Sequence, residues 1–238
     1  MRIPHSLTLA FMATSVFLAG CATAPPPPPG RIPVVYSTES PGGSKLKEKP
    51  TEVTVVSRAS TQKEVGKQVA LNIALAVIGG GFAARTFSKD DLKGSPIDIP
   101  GDRANVRNPV PEDFVKRLDQ QINAVIKADP ALSQMSWKEP INVSDGYASL
   151  VYDTLGGNDT EKLSLVLQLN INKYRETTGR LNFAKPPFEV NCSSSSEPPL
   201  PLAAWTANNA IRVKTELDKM LDQCSGKVMA ALPQMLKY

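Results

Sequence analysis

Residues 162–176 read "KLSLVLQLNINKYRE", and apolar and polar side chains alternate strictly along most of this stretch. The apolar positions are Leu163, Leu165, Leu167, Leu169 and Ile171. Because successive side chains of a strand point to opposite faces, the pattern predicts a long strand with one buried and one polar face. Other elements of the chain must therefore cover the apolar face.

The neighbouring segments predict the rest of a sheet. "GYASLVYDTL" (146–155) precedes the long strand, and the turn-forming "GGNDTE" separates the two, which predicts an antiparallel hairpin. "GRLNFAKPPFEVNC" (179–192) predicts a returning third strand, and "TEVTVVS" (51–57) is rich in β-branched residues. We therefore expect an antiparallel sheet of three to four strands.

Two segments with helical periodicity complete an α+β fold. "PEDFVKRLDQQINAVIKADP" (111–130) predicts an amphipathic helix that Asp129-Pro130 ends. Its apolar stripe consists of Phe114, Leu118, Ile122, Val125 and Ile126. Residues 202–236 predict a long C-terminal helix. Its apolar face consists of Ala210, Val213, Leu217, Leu221, Cys224, Val228 and Leu232.

The first residues have the pattern of an export signal. The apolar run from Leu7 to Phe17 is too short to span a bilayer but has the length of a signal-peptide core. It ends at Leu18-Ala19-Gly20-Cys21, which resembles the lipobox of bacterial lipoproteins. The resemblance implies cleavage before Cys21 and attachment of a diacylglyceryl group to its thiol. Ala22 follows, where lipoproteins retained in the inner membrane often carry Asp, so the resemblance implies the periplasmic face of an outer membrane.

These features divide the chain into a signal peptide (1–20), a lipidated cysteine with a tether (21–50) and one α+β periplasmic domain (51–238). The tether starts with "ATAPPPPPG", whose prolines favour an extended polyproline II conformation. Gly, Ser and Lys follow, with one short candidate strand at Ile32–Tyr36. Several acyl chains anchor a protein stably, whereas a single chain gives only marginal binding.

Histidine and cysteine usage narrows the chemistry. The single histidine, His5, lies in the signal peptide, so the processed chain has neither a His-based catalytic unit nor a His-ligated zinc site. Once Cys21 is lipidated, Cys192 and Cys224 remain as an even pair in an oxidising compartment, which predicts a disulfide. This bond would join the sheet to the C-terminal helix. We expect no cofactor and no metal.

Residues 68–84 are uncharged and mostly apolar, and Gly79, Gly80 and Gly81 interrupt them. A core helix ending at the glycines is one interpretation. The other is a membrane or oligomer contact through Leu71, Leu75, Ile78 and the three glycines, whose small size permits close packing. A phosphate-binding loop is excluded because the Gly-Lys-Ser/Thr that such loops require is missing.

Other candidate motifs do not predict an enzyme. Ser-x-x-Lys occurs at Ser44/Lys47 and Ser60/Lys63, but the companion Lys-Thr-Gly and Ser-Asp-Asn motifs are missing. Asp90, Asp91, Asp98 and Asp102 do not have the spacing of an EF-hand. The run Ser193–Ser196 is interpreted as a flexible loop. Paired carboxylates for glycoside cleavage have no recognisable sequence pattern here.

The charge balance gives no nucleic-acid footprint. Loss of Arg2 with the signal peptide leaves 26 of the 27 basic residues against 23 acidic ones, a net charge of +3, and only 6% of the chain is aromatic. We therefore expect a non-enzymatic envelope lipoprotein that acts as an accessory or assembly subunit, bound to the membrane by its lipid and to an envelope protein partner. The alternative is a periplasmic carrier or binding domain for a lipid or cell-wall fragment.

Overall fold

The computed structural model describes residues 28–41, 45–46, 48–57, 95–97, 106–153, 161–176 and 186–238. The strands are β1 (Val34–Ser37), β2 (Thr54–Val56), β3 (Ser95–Pro96), β4 (Ile141–Tyr152), β5 (Lys162–Lys173), β6 (Phe188–Asn191), β7 (Ser194–Ser195) and β8 (Leu200–Pro201). The helices are α1 (Val115–Ala128), which continues a π-helical turn at Val110–Phe114, and α2 (Leu202–Met235), with a 3-10 turn at Leu132–Gln134 between α1 and β4.

A long hairpin of β4 and β5 forms the centre of the sheet. The two strands pair antiparallel from Ile141 opposite Lys173 to Tyr152 opposite Leu163. The other edge of β4 carries β1 and then β2, both parallel to it, and β3 pairs antiparallel with β2. The other edge of β5 carries β6, β7 and β8 in succession, all antiparallel. Short strands in series thus complete both edges of the hairpin.

The hairpin and the C-terminal helix confirm the sequence predictions, but the expected antiparallel sheet of three to four strands is wrong. The described residues form a mixed sheet of eight strands. Periodicity identifies a strand without giving its direction, so the parallel pairing of β1 and β2 with β4 was not visible. The two-residue strands β7 and β8 are too short to show any alternation.

A bulge explains why the first part of β4 was not predicted: the strand begins at Ile141, five residues before the predicted start at residue 146. The register of β4 against β5 shifts between Asp145 and Tyr147. The core face therefore receives Ile141 and Val143 before the bulge but Ala148 and Leu150 after it, which breaks the period of two. Both bulge residues have positive φ, +67° at Asp145 and +76° at Gly146. A Cβ atom at Gly146 would lie 2.6 Å from Cγ1 of Val110, so only glycine fits there.

The two helices cover the apolar face of the hairpin. Leu118, Ile122 and Ile126 of α1 share one buried cluster with the predicted apolar set of β5. From α2 the cluster receives Ala210, Val213, Leu217, Leu221, Cys224, Val228 and Leu232. Val125 is the exception in the predicted stripe of α1, because it lies at the edge of the stripe and is 42% exposed.

Helix α2 is interrupted near its start. Ala207 is extended, and Asn208, Asn209 and Ala210 have left-handed backbone angles. Asparagine tolerates this conformation better than most residues, and two asparagines occupy the interruption. Two buried tryptophans hold the two ends of α2. Trp205 Nε1, near the start of α2, donates to the Leu163 carbonyl of β5 at 2.8 Å. Trp137 Nε1, in the segment before β4, donates to the carbonyl of Leu236, directly after α2, at 3.2 Å.

Candidate functional site

Gly30, inside the segment that the sequence assigns to the tether, is hydrogen-bonded to the folded domain. The Gly30 N–H donates to the Met135 carbonyl at 2.8 Å. Gly30 has φ +72°, and a Cβ atom there would lie 2.7 Å from the carbonyl oxygen of Ser133. The chain therefore passes directly against the turn that follows α1, with no room for a side chain.

Two side chains of α1 hold the next residues in place. The Asn123 amide accepts from Ile32 N–H at 3.0 Å and donates to the Ile32 carbonyl at 2.9 Å, as a neighbouring strand would. Asp119 Oδ1 accepts from Val34 N–H at 3.1 Å, and its Oδ2 lies 3.5 Å from the Arg31 guanidinium. Ile32 is fully buried, and pairing of β1 with β4 follows immediately. We call the contact of residues 30–34 with α1 and the 131–135 turn the junction.

The surface beside the junction carries basic groups and one large apolar side chain. Arg31 and Lys127 line a common depression of about 290 Å³, together with Asp119, Gln120, Asn123 and Ala124. Met135 is 44% exposed. Two acids lie nearby: Asp119 is paired with Arg31, and Asp129 Oδ1 accepts from the N–H groups of Ala131 and Leu132. A second depression of about 290 Å³ is lined by Thr51, Glu52, Arg107, Asn108, Pro111 and Glu112.

A buried ion pair lies at the same end of the sheet. The Lys173 side chain is fully buried, and its Nζ lies 2.9 Å from Oε1 of Glu176, whose side chain is 30% exposed. Glu176 also accepts from the backbone N–H groups of Lys138 and Glu139 at 3.0 and 3.2 Å. The sequence carries a signal for this burial, because Lys173 continues the odd-numbered apolar positions of β5. The pair joins β5 to the segment that leads into β4, which is a structural role.

Tyr36 of β1 supports the bulge in β4. Its hydroxyl donates to the Asp145 carbonyl at 2.7 Å. Burial raises the pKa of Tyr36 well above its usual value, and the nearby Tyr147 and Asp145 raise it further. The phenol therefore remains a neutral hydrogen-bond donor, as the bulge requires.

The predicted disulfide is confirmed. Cys192 and Cys224 are bonded, with their Cα atoms 5.3 Å apart, and the bond joins the end of β6 to α2. The interpretation of Ser193–Ser196 as a flexible loop is wrong: Ser194 and Ser195 form β7, and the buried Ser196 hydroxyl accepts from Leu165 N–H at 2.8 Å. A short serine run has no hydrophobic pattern, so no strand signal was visible here.

The other predicted sites lie outside the described residues, and their interpretations stay predictions. These are Cys21, the candidate membrane or oligomer contacts Leu71, Leu75, Ile78, Gly79, Gly80 and Gly81, both Ser-x-x-Lys matches, and the aspartates at 90, 91, 98 and 102. The two helices cover the apolar face of β5, so this face does not line an open pocket.

Within the described ranges, no helix is long and apolar enough to cross a membrane. The same ranges contain no cluster of three or more His, Cys, Asp or Glu side chains suited to a metal ion. Comparison of the chain with protein-family models, curated proteins and solved structures finds no match.

Proposed function

We propose that this protein is a lipid-anchored lipoprotein on the periplasmic face of an outer membrane, where it acts as a non-enzymatic accessory or assembly subunit for an envelope protein partner. Leu18-Ala19-Gly20-Cys21 carries the proposal, because the resemblance to a lipobox is specific in residue type, spacing and position. The prolines that follow suit a stalk between lipid and domain.

Two features of the folded domain support this proposal, one for the location and one for the non-enzymatic role. Its disulfide is of the kind that forms and persists in oxidising compartments. The described polar clusters serve the fold: Asn123 and Asp119 hold residues 31–34, and Lys173 and Glu176 neutralise each other. These roles agree with an interaction module better than with an enzyme, whose catalytic groups must reach a substrate.

Metabolic labelling with radioactive palmitate tests the anchor. We expect label on the wild-type protein and none on Cys21→Ala. The matched control is Cys192→Ala/Cys224→Ala, which removes both other cysteines and should keep its label. Unlabelled wild type, or label that persists on Cys21→Ala, would refute the anchor.

Cell fractionation and crosslinking test the rest of the proposal. The wild-type protein should fractionate with outer membranes, and Ala22→Asp should move it to inner membranes by the sorting pattern that the resemblance implies. Crosslinking in intact cells should recover the protein bound to an envelope protein. Recovery as a monomer alone, at every crosslinker length, would contradict an assembly role.

A further inference from the structure

The short distance between Cys21 and the junction limits where the domain can lie. Nine residue steps separate Cys21 from Gly30. At about 3.1 Å per residue in polyproline II they span about 28 Å, and at full extension about 32 Å. Since Gly30 is hydrogen-bonded into the domain, no slack follows it. A lipid on Cys21 therefore keeps Gly30 within about 30 Å of the bilayer surface.

The junction lies at one end of the sheet. Lys138, three residues after Met135, donates its N–H to Glu176, and Ile141 pairs with Lys173. The opposite end of the hairpin is the pairing of Tyr152 with Leu163, and α2 starts there at Leu202. Ten residues of β5 separate the two ends, which is about 33 Å at 3.3 Å per residue.

The junction end has the chemistry of a surface that rests on phospholipid headgroups. Lys127 and Lys138 are exposed basic residues there, together with Arg31, whose guanidinium lies 3.5 Å from Asp119 Oδ2. Basic residues near a membrane surface are attracted to anionic phospholipid headgroups. Met135 adds an exposed, flexible apolar side chain at this end, and its carbonyl accepts directly from the N–H of Gly30, where the tether enters.

We infer that the surface formed by Arg31, Lys127, Met135 and Lys138 lies against the phospholipid bilayer and that Leu202 points away from it. This inference rests on the proposed lipid anchor. It assigns a membrane-facing end to the domain and leaves the Leu202 end available to an envelope partner.

Fluorescence quenching by brominated lipid tests the orientation in the full lipidated protein. Met135→Cys and Leu202→Cys are each labelled with a small fluorophore and reconstituted in phosphatidylethanolamine–phosphatidylglycerol vesicles. Both native side chains are exposed, 44% and 41%, so labelling should preserve the fold. We expect most of the fluorescence to be lost at position 135 and retained at position 202. Equal quenching at both positions, or stronger quenching at 202, would overturn the inference.

Charge variants and the mass of the same samples separate the remaining explanations. Lys127→Gln/Lys138→Gln should weaken quenching at position 135, whereas Lys214→Gln on the exposed surface of α2 should not. Unchanged quenching in the double variant would refute the basic contact. A mass without acyl groups would refute the anchor itself, while a lipidated protein without quenching at 135 would refute only the orientation.

Discussion

Lys173 shows how a single charged residue fits on the core face of a strand. Its side chain is fully buried, so its ammonium depends on Glu176 and the Tyr174 carbonyl for compensation. Glu176 is better placed, because it is partly exposed and also accepts two backbone N–H groups. The two partners should therefore respond differently to substitution.

Glu176→Gln should destabilise the protein by about 3 kcal/mol, because it leaves a buried charge without its counter-ion. Lys173→Met keeps the apolar stem and removes the charge, so its cost should stay below about 1 kcal/mol. Urea denaturation measures both, and Lys173→Met/Glu176→Gln serves as the control that should recover most of the loss. If Lys173→Met alone costs as much as Glu176→Gln, the buried charge is not the cause.

Tyr36 gives the fold a dependence on alkaline pH. Because its pKa is raised in the folded state, its contribution is complete below the usual tyrosine value of about 10 and is lost as pH rises above that value. Just above this pH, the Tyr36 phenol ionises in the unfolded chain but stays neutral in the native protein. At pH 8 the free energy of unfolding of the wild type should be about 1 kcal/mol larger than that of Tyr36→Phe, because of the hydrogen bond to Asp145. This difference in stability should shrink above pH ~10.

Chemical denaturation of both proteins across this pH range measures the difference in stability. The lysines and the other tyrosines titrate in both proteins, so their contributions to the pH dependence cancel in this difference. A difference that stays constant to the highest pH would contradict the buried neutral phenol.

At the scale of elements, the disulfide connects two parts that the sheet alone does not hold together. Strand β6 pairs with only the last four residues of β5, and Cys192, directly after β6, is bonded to Cys224 of α2, 32 positions away in sequence. Both cysteines are almost fully buried. The bond therefore restricts the unfolded chain at a position where the native strand pairing is short.

Cys192→Ala/Cys224→Ala should lower the free energy of unfolding by about 3–4 kcal/mol in the chain-entropy account of a loop of this length. Urea unfolding of the oxidised variant and wild type measures the difference. Reduced wild type is the control and should lose a similar amount. An unchanged midpoint in both would mean that the bond adds no stability.

At the scale of the molecule, the chain before residue 51 belongs partly to the fold. β1 adds four residue pairs to the edge of β4, and Ile32 is fully buried. Asn123, which is only 7% exposed, donates its side-chain amide N–H to the Ile32 carbonyl. A domain that starts at residue 51 would lose the two hydrogen bonds between Asn123 and Ile32 and would leave the Ile141–Ser144 edge of β4 without β1.

A chain that starts at residue 38 should therefore be less stable by at least about 3 kcal/mol than one that starts at residue 28. Thermal denaturation of the two chains measures this. Ile32→Ala in the longer chain isolates the side-chain contribution and should cost about 2–5 kcal/mol. Equal stability of the two chains would show that β1 is dispensable.

Different parts of the fold were accessible to sequence reasoning for physical reasons. The apolar set of β5 and the stripe of α1 are long enough for their periods to emerge. The bulge at Asp145 and Gly146 hid the first half of β4, because one extra residue inverts the alternation. At the junction, Ile32 was recognised as a candidate strand residue, but its partner Asn123 lies 91 positions away. No local pattern reveals such a contact.

The β4–β5 hairpin, both helices and the cysteine pair could be predicted locally, because each depends on residues whose periodicity or chemistry is legible in one segment. The parallel pairing of β1 and β2, the hydrogen bond of Gly30 to Met135 and the burial of Lys173 could be seen only in the folded chain. Each of these depends on contacts between distant segments, and the free energy of such contacts exists only once the chain has brought them together.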